Sequence, residues 1–248
     1  MVETSIVIRT KNEERWIGLT LKRLREQTYR DFEIIIVDSG SQDDTLRIAR
    51  KFPVRIFQIS PSEFSYPYAL NYGIQRTTSN RYIVIISAHS IPISQTWLQD
   101  GLENFHAYQN VAGVYGFLKP LPSSSFADRV IMNGSNFFWW VLNRQQRFVV
   151  RQAGMGVLGF TNAIIRRDLW NQRPFNEAYG AGGEDGEWAA YWLQCGYIAV
   201  KDWRFTVHHS HNLGFLGWYR QFRYWKSLDR PAPFQQLKFR KDSPHRQI

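Results

Sequence analysis

Phe32 to Val37 reads FEIIIV and Tyr82 to Ser87 reads YIVIIS. Both runs are rich in β-branched residues, and polar positions hardly alternate with apolar ones. A strand of this kind has two apolar faces, and both must be covered. Helices are the usual cover, and the sequence between the runs supplies them. Ile17, Leu21 and Leu24 recur at helical spacing and predict an amphipathic helix from about Trp16 to Gln27. Asp43 or Asp44 can cap a second helix whose apolar face carries Leu46, Ile48 and Ala49. Tyr68 to Gln75 predicts a third. Ser5 to Arg9 (SIVIR) and Val54 to Ile59 complete the strands of the first half. Strands and helices alternating at this spacing imply βαβ units. The fold class is α/β, with a mostly parallel, doubly wound central sheet and helices on both faces.

Composition bounds what such a chain can do. At 248 residues with 44% apolar content, it can bury one large core, and wholesale disorder is excluded. A single cysteine, Cys195, rules out an internal disulfide; its setting (WLQCG) predicts a core position. The net charge of +10 calls for an anionic partner: a nucleotide, a phosphorylated lipid, a membrane surface or nucleic acid. Aromatic content of 16%, with ten Trp, suits flat apolar or sugar-like surfaces. Tyr82 to Ala88, the best apolar run, falls far short of the ~20 residues that span a bilayer. No signal peptide is evident at the N-terminus, so a cytoplasmic location is expected. The sequon at Asn133 reads as chance in that setting.

In doubly wound sheets ligands gather at the carboxyl ends of the strands. Three polar clusters fall there: Thr10 to Glu13, Asp38 to Asp44 and Ser87 to Ser90. The second half is less regular. Val114 to Leu118, Asn162 to Arg166 and Ile198 to Val207 predict strands. Glu187 to Gln194 predicts a helix ended by Gly196. Ser123 to Gly159, with its block Phe137-Phe138-Trp139-Trp140, reads as loop-rich.

The segment TKNEERWIGLTLKRLREQTYRDFEIIIVDSGSQDDT carries Asp38, Ser41, Asp43 and Thr45 in the pattern V-D-x-x-S-x-D-x-T. Asn71-Tyr72-Gly73, ISAHSIP, GFTNAIIRRDLW, Gly182-Gly183-Glu184-Asp185 and His209-Ser210-His211 follow in order. This ordered set, across roughly residues 4–211, resembles family 2 glycosyltransferases of the GT-A fold. The resemblance implies transfer of a sugar from a nucleoside diphosphate sugar to a hydroxyl of a glycan or lipid-linked acceptor, with inversion. It implies a nucleotide-sugar half (1–118) and an acceptor half (119–213), with segment 120–158 a candidate acceptor loop.

The same resemblance assigns roles. Asp185 is the general base, and Glu184 orients acceptor or donor. Thr10, Asn12, Glu13, Asp38, Ser41, Asp43, Asn71, Ser87 and His89 line the nucleotide site. Asp38 and Asp43 can equally make turn and cap hydrogen bonds. Arg9 and Lys11 either neutralise phosphate or are solvated. Ser87-Ala88-His89-Ser90 stands where the family has Asp-x-Asp, so both carboxylates are replaced. The implied divalent cation, Mn2+ or Mg2+, would then fall to His89 and His209, and less directly to His211; at the end of the last predicted strand His209 and His211 would point to the same strand face. Imidazole suits Mn2+ better than Mg2+. Alternatively, His89 hydrogen-bonds the phosphate directly. Glycines 180, 182 and 183 leave room for a bulky substrate to approach the carboxylates.

Residues 214–248 form a separate basic, aromatic tail with eight Lys or Arg against two Asp. Such a mixture suits an interfacial helix on anionic lipid, or a helix packed back on the domain. Nucleic acid is not expected, because nothing else resembles a nucleic-acid motif. Two other functions stand beside the enzyme. One is a nucleotide-sugar-binding protein without turnover. The other is a basic membrane-associated adaptor on the same fold.

Overall fold

The structure is a computed structural model, and it describes residues 2–143, 145–228 and 232–234. The first half alternates as the sequence dictates: β1 (Thr4–Thr10), α1 (Ile17–Arg25), β2 (Phe32–Asp38), α2 (Thr45–Ala49), β3 (Arg55–Gln58), α3 (Tyr66–Gln75) and β4 (Tyr82–Ser87). Then come β5 (Ile91–Pro92), α4 (Trp97–Ala107), β6 (Val111–Lys119), α5 (Phe126–Asn143), β7 (Arg147–Val150) and β8 (Asn162–Arg166). The rest comprises α6 (Arg167–Gln172), α7 (Glu184–Gln194), β9 (Ile198–His208) and α8 (Phe215–Leu228).

All nine strands join one sheet, in the order β3-β2-β1-β4-β8-β6-β9-β5, with β7 also on β9. Strands β1 to β4 pair in parallel, as expected. Beyond β4 the sheet is mixed. Strand β8 runs antiparallel to both β4 and β6, β6 runs parallel to β9, and β5 and β7 are antiparallel to β9. Only the stretch β3-β2-β1-β4 is therefore paired purely in parallel.

Successive residues feed opposite cores, as apolar runs without alternation require. Val7, Ile35, Val37, Ile83 and Ile85 pack with α3 and α7 residues such as Leu70 and Trp188 on one face. Ile6, Ile8, Ile34, Ile36, Val84 and Ile86 pack with Leu21, Leu24 and Trp97 on the other. Gly116 marks where β9 bulges against β6. A methyl group there would stand 1.4 Å from the Phe205 carbonyl oxygen, so only glycine fits.

Three expectations fail. Segment 126–143 is a helix, with Trp139 packed against Phe117 and Phe148 and with Ala127 and Met132 buried against Trp218. Cys195 is exposed, since it lies past the last turn of α7 on the solvent side. His209 and His211 lie beyond the end of β9, so a shared strand face does not relate them.

Candidate active site

The polar clusters after β1 and β2 are laced into one rim. Asn12 takes a left-handed conformation (φ 54°), and its backbone N–H donates to Ser41 Oγ at 2.9 Å. Its side-chain Oδ1 accepts from Gln42 N at 2.8 Å. Asp43 accepts from the Glu14 and Thr45 backbone, and Glu13 N donates to Thr45 Oγ1. Asp38 is fully buried and accepts from Gly40 N, Ser41 N, Ser41 Oγ and Gln58 Nε2. Both Asp38 oxygens thus hold the loop, and the turn reading of Asp38 and Asp43 is the one the geometry shows. Thr10 Oγ1 is buried without a hydrogen-bond partner.

Asn71 is a correction. Its Nδ2 donates to Phe175 O and Glu177 Oε1, and its Oδ1 accepts from Trp170 Nε1 and Phe175 N. All of its capacity is consumed in tying α3 to the 170–177 segment, so none is left for a nucleotide.

The parallel register sets Arg9 level with Val37 on one side and Ser87 on the other. From that central strand end Arg9 reaches Glu184 Oε1 at 3.6 Å, with its guanidinium 4.7 Å from the centre of the Tyr66 ring. Lys11, in contrast, is exposed. Through Arg9, Glu184 at the start of α7 is tied to the strand end from which the rim of loops after β1 and β2 springs. Glu184 is buried, and burial, reinforced by the charge of Asp185 and opposed by Arg9, pushes its carboxyl up to about 7. Burial also raises Asp185, against hydrogen bonds donated by Gly186 N (2.8 Å) and Phe160 N (3.4 Å). A carboxylate raised toward neutrality is a stronger proton acceptor than a solvated one. The room left by Gly182 and Gly183 is not empty: both have positive φ, and Leu228 of α8 packs over them. Tyr224 of α8 also donates to Ala181 O at 2.7 Å.

On the other flank stand the histidines. His89 Nδ1 lies 2.7 Å from Glu13 Oε1, and His89 Nε2 is buried with no hydrogen-bond partner. The His89 and His209 rings stack at 4.6 Å. His209 Nδ1 is 3.1 Å from Ser90 Oγ, and His209 Nε2 is 3.1 Å from His211 Nε2. One ring nitrogen from each of the three lies within 4.8 Å of the others. Burial, then the neighbouring imidazoles, depresses His209 well below the usual histidine range; burial also depresses His211. The lowered His209 and His211 imidazoles, gathered beside the unsatisfied Nε2 of His89, fit a divalent cation. His208 turns away, to Pro120 O.

Sequence reasoning missed two residues that build this flank. Ser90 is fully buried beneath His209. Asp128 on α5 is also fully buried, and accepts from Ser210 Oγ, Asn212 N, Leu213 N and Trp218 Nε1. It therefore fixes the loop that carries His209 and His211. A lone Asp in an aromatic block gave no local signal, because all of its partners lie more than 80 residues away.

Known proteins resemble this chain in sequence and in fold. The O-antigen chain rhamnosyltransferase of Salmonella anatum is 27% identical over 76% of this chain and 59% of its own length. A PGL/p-HBAD biosynthesis glycosyltransferase of Mycobacterium bovis is 29% identical over 82% of this chain and 68% of its own. A mannosyltransferase from Pyrobaculum calidifontis, solved with GDP-Man and Mn2+, superposes with a TM-score of 0.67 at 20% identity over 91% of this chain. Glucosyl-3-phosphoglycerate synthase from Mycobacterium tuberculosis, solved with Mn2+ and UDP, gives 0.62 at 15% identity, covering 92% of this chain and 78% of that one. The chain spans 59% of the rhamnosyltransferase and 61% of the mannosyltransferase. The sequence profile of Glycosyl transferase family 2 matches residues 5–173, well over half of the chain, so this protein belongs to that family and has the GT-A fold.

Proposed function

We propose that this chain transfers a sugar from a nucleoside diphosphate sugar to a hydroxyl of a glycan or lipid-linked acceptor, inverting the anomeric centre, with Asp185 as general base. The contact between Arg9 and Glu184 carries the reading, because it sets the α7 carboxylates against the strand ends that form the nucleotide rim. The loops of Thr10, Asn12, Glu13, Asp38, Ser41, Asp43 and Ser87 form the floor for base and ribose. Arg9 lies where a phosphate would meet positive charge. Asp185 takes the proton from the acceptor hydroxyl as that oxygen bonds to the anomeric carbon from the face opposite the diphosphate. The bond from that carbon to the diphosphate oxygen breaks, and the nucleoside diphosphate leaves with the electron pair. Glu184, beside it, holds Arg9 and orients the sugar. A divalent cation at His89 and His209 supplies positive charge for the leaving group when bound.

A panel of nucleoside diphosphate sugars, followed by release of nucleoside diphosphate, tests this. Asp185→Asn should lower turnover by about 10²- to 10⁴-fold while donor binding persists. Wild-type protein that binds donors without releasing diphosphate, even with glycan acceptors present, would point instead to a binding protein without turnover.

The membrane reading of the tail has its own support. One face of α8 packs on α5 through Trp218, Ala127 and Met132. Elsewhere Phe215, Leu216, Tyr219 and Phe222 on α8, and Phe137, Phe138 and Trp140 on α5, are exposed. Arg129, Arg220, Arg223 and Lys226 are exposed on the same two helices. Exposed aromatics beside cations suit an anionic lipid surface, where a lipid-linked acceptor would be met. Arg230, Lys238, Phe239, Arg240, Lys241 and Arg246 of the tail lie outside the described residues.

A further inference from the structure

Resting on that reading, we infer that the cavity between α5 and the sheet edge formed by β6 and β9 is a second saccharide site, outside the reaction centre, that holds an acidic sugar unit of the acceptor glycan. On α5, Asn133, Asn136, Phe137 and Trp140 recur at helical spacing and so form one stripe. Lys119 at the end of β6 and Trp203 on β9 line the same cavity, which measures about 350 Å3. Ligand clefts run from roughly 300 to 1,000 Å3, so the space suits a small molecule and not a helix or strand. Two indoles and a phenyl ring supply flat apolar surface, on which the C–H faces of a pyranose can lie. Trp203 is held in place, its ring centre 4.3 Å from that of the buried Phe117. Asn136 Nδ2 is committed to Leu118 O at 2.9 Å, which leaves Oδ1 as an acceptor. Asn133 is exposed, with its amide open to hydroxyl groups. Fixed rings with amides between them are the mixture that a hydroxylated ring needs.

Charge selects the sugar. No carboxylate lines the cavity. Lys119 is half-buried, its ammonium 5.6 Å from the centre of the Trp203 ring, and no carboxylate among the described residues pairs with it. Lys201 adds a second cation behind the wall, 4.2 Å from the Phe117 ring centre and 4.3 Å from that of Trp139. A sugar bearing a carboxylate or a phosphate therefore meets uncancelled positive charge. Lys119 also fixes where the cavity begins. It pairs in register with His208, and its carbonyl accepts from His209 N at 2.8 Å. From that point the stripe runs along α5 away from the histidine loop, and Trp140 lies about 18 Å past Asp128 at the rise of an α-helix. A unit bound there is set back along the glycan from the hydroxyl that reacts. Phe137 and Trp140 are also exposed at the proposed lipid surface, so a lipid-linked glycan leaving the bilayer would meet the cavity mouth first.

The purified full chain, without donor, is titrated with oligogalacturonides, with phosphorylated mannan oligosaccharides and with neutral glucan and mannan oligosaccharides of matched length. Saturation-transfer NMR and calorimetry read the binding, and the two acidic arms separate carboxylate from phosphate. At least one acidic series should bind about tenfold tighter than the neutral ones, and added salt should shrink that margin. Trp203→Ala and Trp140→Ala should each weaken acidic binding by about tenfold. Trp140 is half exposed, so its loss should spare the melting temperature even where loss of the packed Trp203 lowers it. Lys119→Gln should bring the acidic series down to the neutral affinity. The inference is overturned if neither acidic series binds, if Lys119→Gln keeps the margin, or if folded Trp140→Ala binds as the wild type does. Wild-type protein that turns over a donor yet binds none of these oligosaccharides would leave the glycosyl-transfer proposal standing while removing this one. Selective binding without any turnover would do the reverse.

Discussion

Glu184 keeps its proton to about pH 7 because burial and Asp185 outweigh the help of Arg9. In the unfolded chain the same carboxyl ionises near 4.5. Between those two values the folded state binds more protons, so stability falls as pH rises through that window and levels off above it. The loss from this one group is about 3 kcal/mol. Denaturant unfolding of wild type and Glu184→Gln at pH 5 and pH 8 isolates it. The variant should lose about 3 kcal/mol less than wild type across the interval, and parallel losses would reject the assignment. Activity should move in the opposite sense, its acid limb rising toward neutrality as the Glu184–Asp185 pair ionises. Residues with local partners were legible at this scale: Asp38, Ser41 and Asp43 announced a turn because Asp and Ser bond to nearby backbone. Asn71 was not, because its partners lie about a hundred residues on.

Among the elements, α5 was the least legible and has the most consequence for the site. Its aromatics obscured the helical period, and its one buried charge, Asp128, reads as an ordinary helix polar residue until the 210–213 loop wraps around it. Asp128→Ala would leave the Leu213 backbone N–H, the Ser210 hydroxyl and the Trp218 indole without an acceptor, while Asn212 N keeps Ser210 Oγ. The cost should be about 3 kcal/mol, because hydrogen bonds to a buried charge are among the strong ones. The same variant should impair binding of the proposed divalent cation, since that loop carries His209 and His211. A melting curve and a metal titration check the two effects; a wild-type cation affinity would show that the loop holds its shape unaided. The strands of the first half, in contrast, were legible almost to the residue, because uninterrupted β-branched runs flanked by Gly, Ser and Asp leave little choice. The glycine turn before α7 was legible as a turn, but not as a seat for Leu228.

Over the whole molecule, no helix among the described residues is long and apolar enough to cross a membrane; the lipid contact proposed above would use the exposed face of α5 and α8. Cosedimentation with vesicles should show binding that requires anionic lipid and weakens with salt. Replacing Phe215, Leu216 and Phe222 with Ser should abolish it while leaving donor hydrolysis in solution intact; unchanged binding would exclude this face. Charge and composition announced such a surface, but not that α5 shares it.

The path of β9 bears on how the chain is made. It is the last strand among the described residues, yet it is the one that joins β5, β6 and β7. Until residue 208 has left the ribosome, β6 presents an unsatisfied edge, and long-range pairing of this kind is slow. Nascent chains arrested before β9 should therefore be sticky and chaperone-dependent, although every residue of the family match has already emerged.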